Sequence, residues 1–410
     1  MEIGRGVERT VEINSRERVR RAMATGLDAS GPLPDRVPVF CQLALGHYFL
    51  NSGLAPFDVW YRSEGFAEAL LRLARRYRFD GLLVNLPGRR PDLDRYVAAI
   101  ERRGNEEIIR WRNGDYSVLP GDDNAHYFRA GGERYFPRFE EVDPEKLHYV
   151  EPWDATDITY PCVWSFEEGR RPFSDYFPEY HFDTLKLVLE RTKGALSVHS
   201  EVFSPFSQLL ELLNYEVALM ALLDDPGKVH ACLEALTRGA ADLACRQAAL
   251  GVDAVLISSA FAGAGLIARE HYEDFVLPYE KRVVAELRAR HPGVFVYTHT
   301  CGSIGDRLDL MLQTGTQGID TLDPPPLGTV ELPEAKMALA GRAFIKGNLD
   351  PVNTLLRGSA GDVRRAVQDR LRSAKPGGGY ILSTACSVAP AAPPENIEAM
   401  TEEVERLGRY

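Results

Sequence analysis

Three soft side chains stand out by type and spacing. His299 and Cys301 sit in the run Phe295-Val296-Tyr297-Thr298-His299-Thr300-Cys301-Gly302, and Cys386 follows far downstream. The run is apolar and β-branched and reads as a buried strand. Alternate side chains of a strand share a face, so His299 and Cys301 point the same way. Imidazole and thiolate together suit zinc. Ser303 and Asp306 look like an N-cap pair, so a helix is expected over 303–314, its positive end favouring the Cys301 thiolate. Cys386 lies just past the last expected strand and is the candidate third ligand. Cys41, at the end of the first strand, is its competitor. Cys232 and Cys245 fall on helical faces and read as core, and Cys162 falls mid-chain.

The elements that must position these groups alternate. Apolar strand runs cover residues 36–41, 82–86, 195–199, 254–259, 295–301, 318–322, 343–348 and 379–384. Helical spacing marks 15–24, 56–78, a pair over 206–250 broken near Asp224-Asp225-Pro226-Gly227, then 268–290, 303–314, 360–374 and 393 onward. Eight strands, most followed by a helix, predict a (β/α)8 TIM barrel, with an open doubly wound sheet as the alternative. No Gly-rich phosphate loop follows the first strand, which disfavours the open sheet. The rhythm breaks over 88–190. There Asn113-Gly114 between two apolar runs predicts a hairpin. Tyr127-Phe128 and Tyr135-Phe136 around Gly131-Gly132 suggest a second. Residues 149–180 are crowded with Trp153, Tyr160, Trp164, Phe166, Phe173, Tyr176, Phe177 and Tyr180. The whole reads as one barrel domain over 1–410 with an aromatic-rich cap inserted after the second strand, over the carboxyl end of the barrel.

In such a barrel, active-site groups gather where strands end. The polar residues at those ends are Gln42, His47, Asn85, His199, Glu201, Ser258, Ser259, Asp320, Asp323, Asn348 and Asp350. Asn85, His199, Glu201, Asn348 and Asp323 are the expected substrate contacts. His199 reads first as a satisfied polar group at the barrel mouth, with a ligand or proton carrier as the alternative. Asp320 and Asp323 read as metal ligands or as a turn before Pro324-Pro325-Pro326.

Composition narrows the class. The 410 residues are 45% hydrophobic and 26% charged, with a formal net charge of −11. A long basic run is absent, which argues against a nucleic-acid partner. No stretch reaches the roughly 18 apolar residues of a membrane span, and the amino terminus has no apolar signal-like core. The six scattered cysteines fit a reducing cytoplasm with free or metal-bound thiols. A homodimer is compatible with this composition.

Several stretches then carry a resemblance. They are Arg16-Glu17-Arg18-Val19 leading to Asp35-Arg36-Val37-Pro38-Val39, Phe275-Val276-Leu277-Pro278-Tyr279, Gly347-Asn348-Leu349-Asp350-Pro351, and Gly378-Gly379-Tyr380-Ile381-Leu382 leading to Pro393-Pro394-Glu395-Asn396. With them the chain resembles the uroporphyrinogen decarboxylase superfamily, whose fold is a (β/α)8 barrel. The departures choose a branch. Decarboxylases keep an Arg-rich stretch after the first strand, where this chain has residues 41–47 without Arg. They keep an Asp after the second strand, where Asn85 stands, and a His after the last, where Cys386 stands.

The chain looks more like the methylcobamide:coenzyme M methyltransferases of the same superfamily, which hold zinc with His-x-Cys and a distant Cys. The resemblance implies zinc on His299, Cys301 and Cys386, and a methyl-corrinoid carried by a partner protein, since no Asp-x-His-x-x-Gly stretch is present to hold one. It implies methyl transfer to a small thiol activated at the open zinc position. A decarboxylase or lyase acting on a tetrapyrrole-like or other cyclic substrate, and a non-catalytic corrinoid-binding protein, are the alternatives.

Overall fold

A computed structural model describes residues 13–128, 130, 136–150 and 176–410. Its centre is a curled parallel sheet of seven strands: β1 (Gly81–Val84), β6 (Ser197–Phe203), β7 (Ala254–Ser258), β8 (Phe295–Thr300), β9 (Gly318–Thr321), β10 (Phe344–Leu349) and β11 (Tyr380–Thr384), paired in that order. These strands are almost wholly buried, as near-continuous apolar runs require when both faces are covered. The two edges approach one segment, 37–41. Val39 carbonyl accepts from Asp80 N at 2.8 Å, just ahead of β1. On the other side Phe40 N donates to Leu382 of β11 at 3.0 Å. The result is a mixed α/β fold consistent with a TIM-like barrel, its first stave held by bridges rather than a full ladder.

Helices α1 (Ser15–Leu27), α3 (Pro56–Tyr61), α4 (Ser63–Tyr77), α5 (Asp183–Thr192), α8 (Pro226–Ala249), α10 (Leu277–Arg290), α13 (Ala360–Ala374) and α14 (Pro394–Leu407) are among those that surround the sheet. In α4, Phe66, Leu70, Leu73, Ala74 and Tyr77 recur at helical spacing and are buried. The single helix expected over 56–78 is two, parted at Arg62 in an extended conformation. The turn is tight: a Cβ on Gly65 would lie 1.9 Å from the Asp58 carbonyl oxygen. The pair expected over 206–250 is three helices, because Asn214 parts α6 (Pro205–Leu213) from α7 (Tyr215–Asp224) before the expected break ahead of Pro226.

Helix α1 plugs the amino-terminal end of the barrel. Val19, Ala22 and Met23 pack against Phe40, Leu83, Leu256, Tyr297, Phe344 and Ile381. Gly26 is required there, since its missing Cβ would sit 2.5 Å from the Phe344 Cα. Among the described residues no single helix is long and apolar enough to cross a membrane. Only the bent pair α6 and α7 passes that test together.

Within the insertion, the hairpin at Asn113-Gly114 joins β3 (Glu106–Trp111) to β4 (Tyr116–Leu119). It forms the middle of a four-stranded antiparallel sheet with β2 (Val97–Arg103) and β5 (His126–Phe128). Strand β2 went unread because it has no apolar/polar alternation and is mostly exposed. The sheet docks on α3 through Tyr61 and Trp111, which share the Ser117 hydroxyl. Residues 183–192, assigned above to the insertion, form α5, which packs on α4. Tyr149 Oη accepts from Phe203 N at the carboxyl end of β6. Trp153, Tyr160, Trp164, Phe166, Phe173, Cys162 and the second expected hairpin's 131–135 lie outside the described residues.

Candidate metal centre at the carboxyl end of the barrel

Strand β8 delivers His299 inward, and the chain leaves the sheet immediately after at Cys301. Strand β11 ends at Thr384, two residues before Cys386. Strands β8 and β11 are not neighbours, yet their loops lean together across the mouth. His299 Nε2 lies 3.2 Å from Cys301 Sγ, and the two sulfurs are 3.6 Å apart. The three ligand atoms all fall within 4.8 Å of one another. Ligands on one tetrahedral zinc ion stand roughly 3.4–3.8 Å apart, given Zn–N and Zn–S bonds of about 2.1 and 2.3 Å. The donor set and its spacing therefore fit a soft divalent metal. Cys41, the rival third ligand, is not part of this cluster; it is buried in the apolar core.

A second layer orients the first. His299 Nδ1 lies 3.2 Å from Asp320 Oδ2, and the Thr321 hydroxyl is 3.1 Å from the same nitrogen. A carboxylate on one ring nitrogen frees the other to bind metal. Lys346, itself buried, donates to both Asp320 oxygens at 3.0 and 3.1 Å. Thr321 and Leu322 take positive φ values of 83° and 56°, unusual for non-glycine residues. This turn carries β9 from the Asp320–His299 contact to Leu322, whose carbonyl accepts from Asn348 Nδ2 at 2.8 Å. Strain of that kind tends to be kept where function needs the geometry.

Electrostatics follow from burial and contact. Burial works against an imidazolium at His299, but Asp320 and Cys386 outweigh it and raise its pKa to about 10. The thiols share one charge. Cys386 is held well below an ordinary thiol by the hydrogen bond from Cys301 and by His299, against burial. Cys301 is pushed up by the same contact and by burial. Burial raises Glu201 to about 7, against the pull of His299 and a hydrogen bond from Ser258. Asp323 is raised to about 6 by burial, although its Oδ2 accepts from Gly302 N at 2.6 Å.

The expected substrate contacts divide. Asn85 lines a cavity at the mouth together with Gln42, Asn124 and Ser387, the last adjacent to Cys386. Glu201 and Asn348 are buried, each with one oxygen lacking a partner. Asp323 steadies the loop after Cys301. His199 is placed elsewhere. Strand β6 runs four residues further than expected, to Phe203, so His199 lies inside the barrel toward α1. There it contacts Tyr297 Oη at 3.0 Å and Ser197 Oγ at 3.1 Å, edge-on to Phe40. Burial lowers its pKa to about 3.

The helix expected from Ser303 begins only at Leu308, as α11 (Leu308–Gln313), with Arg307 at its N-cap position and no side-chain cap. Asp306 is engaged by the buried Arg307 guanidinium, and the Ser303 carbonyl accepts from Ala264 N. No helix terminus therefore reaches Cys301. Lys346 escaped the sequence reading, and Asp320 was seen only as ligand or turn. The missed signal was a lysine alternating with Asn348 inside an apolar strand.

Known proteins agree with this architecture. A methyltransferase from Methanosarcina mazei superposes with a TM-score of 0.66 over 96% of this chain and 99% of its own, at 16% identity. A uroporphyrinogen decarboxylase from Thioalkalivibrio sulfidiphilus is 32% identical over 189 residues, 46% of this chain and 51% of the relative. Another from Alkalilimnicola ehrlichii is 28% identical over 242 residues, 56% of this chain and 63% of the relative. The chain thus spans between half and two thirds of the length of these relatives. The family model for uroporphyrinogen decarboxylase (URO-D) matches residues 168–407, more than half of the chain, and the chain belongs to that family.

Proposed function

We propose that the protein is a zinc-dependent methyltransferase that moves a methyl group from a methyl-corrinoid, carried on a partner protein, to a small thiol. The observation that carries this reading is the convergence of His299 Nε2, Cys301 Sγ and Cys386 Sγ within 4.8 Å at the carboxyl end of the barrel. A soft metal held there would lower the pKa of an incoming thiol and leave its sulfur nucleophilic. The chain's own residues do the rest. Asp320 fixes His299 with Nε2 toward the two sulfurs, and Lys346 holds Asp320 ionised for that task. Glu201, buried and raised by burial to about 7 with His299 among its charged neighbours, is the group proposed to accept the thiol proton.

The relatives' names favour a second reading, decarboxylation of a porphyrinogen. Three positions weigh against it. Asn85 offers no counter-charge, the 41–47 stretch has no arginine, and Cys386 stands among the soft donors. The test is zinc content of the purified protein together with methylation of a thiol panel by free methylcobalamin. Stoichiometric zinc and a methylated thiol are expected. Coproporphyrinogen formation without bound zinc would sink the proposal.

A further inference from the structure

Ser387, the residue after Cys386, lines a cavity of about 130 Å³ at the barrel mouth. That is close to the ~150 Å³ of a cavity that accommodates one benzene ring, and far too small for a macrocycle. Its apolar wall is aromatic: Tyr48, Trp60 and Phe66, with Tyr48 edge-on to Phe66 at 5.5 Å. Its polar wall is made of amides, Gln42, Asn85 and Asn124, with Ser387. No Lys, Arg, His, Asp or Glu is among the described residues that line the cavity.

We propose that this cavity selects the uncharged end of the substrate: one ring or a short chain bearing a hydroxyl or amide that hydrogen-bonds the amide wall of Gln42, Asn85 and Asn124. The assignment deepens the methyl-transfer reading and rests on it for the identity of the substrate as a thiol. An anionic tail, sulfonate or carboxylate, would lose its hydration here with no counter-charge and is disfavoured. Rings stack against Tyr48, Trp60 and Phe66, and the amides read the hydrogen-bonding group, so polarity and charge are sorted by different walls.

The test uses probes without sulfur, so that it does not depend on the metal. Phenol and benzenesulfonate are titrated calorimetrically into the full-length protein, with and without zinc. Phenol is expected to bind at one site, at least about tenfold more tightly than benzenesulfonate. Gln42→Leu is expected to weaken phenol about fivefold while leaving benzene unchanged, the size of one hydrogen bond. Equal or tighter binding of benzenesulfonate, or no phenol binding to the unaltered chain, overturns the proposal even if the variant misfolds. In parallel, 2-mercaptoethanol and 2-mercaptoethanesulfonate are compared as methyl acceptors. If neither is methylated but phenol binds as stated, the methyl-transfer reading fails and the cavity assignment stands.

Discussion

The two ends of the barrel bury charge in opposite ways. At the amino-terminal end every named ion has its partner. Asp80, fully buried, accepts from Arg18, Arg36, Ser15 and Val39 N, and Arg18 also forks onto Asp35. Arg16 and Arg20 close on Asp253, which also accepts from Ser197. At the carboxyl end Gln42 Oε1, Glu201 Oε2, Asn348 Oδ1 and Ser383 Oγ are buried without partners. The first arrangement is complete without anything else and serves the fold. The second is incomplete, as a site that awaits a ligand should be.

The sharpest way to break this contrast is to remove a mouth ligand. Cys386→Ala should lose zinc well beyond the roughly 10–100-fold expected of an orienting residue, and thiol methylation with it. Circular dichroism should stay unchanged. Stoichiometric zinc in the folded variant would refute the three-ligand site.

The matching test at the other end is Asp80→Ala. It strands Arg36 and half of Arg18 in a buried setting, and should cost about 3–5 kcal/mol of unfolding free energy in urea. Zinc per folded chain should not change. A loss of zinc without a loss of stability would reverse the roles assigned to the two ends.

Glu201→Gln sharpens the comparison through pH. The Glu201 pKa is raised by burial to about 7, above the ordinary value of 4.5, so the folded state prefers the protonated acid. Its ionisation therefore costs stability as pH rises from 4.5, and the cost is complete above 7. In the zinc-free protein the variant should match the wild type at pH 4 and exceed it by at most about 3 kcal/mol at pH 8. A pH-independent difference in denaturant midpoint would contradict the assignment.

The smallest effect belongs to Asp320→Asn, which keeps the shape but weakens the hold on His299 Nδ1. Zinc affinity should fall by about 10–100-fold, measured by competition with a chelator. An unchanged affinity would leave Asp320 as a partner of Lys346 alone.

Much of this was legible in the chain. The apolar runs located all seven sheet strands and the segment at 36–41, because strands buried on both faces leave an unbroken apolar record. Residue parity placed His299 and Cys301 on one face. What the sequence misjudged were ends and breaks. The register of β6 against β7, with Phe203 opposite Ser258, carries that strand past His199 and moves it from mouth to interior. The Arg307 guanidinium takes Asp306 away from the helix cap predicted at Ser303.

By itself, then, the sequence determined which side chains could ligate a soft metal and that they sit at strand ends, since type and period-two alternation are local properties. Only the tertiary structure decided that strands without a shared ladder bring Cys301 and Cys386 sulfurs to 3.6 Å. It also decided that Asp320 and Lys346 stand behind His299 and that Gln42 is left without a partner. Those contacts join residues from separate strands across the mouth of the curled sheet, and no spacing along the chain encodes a distance across it.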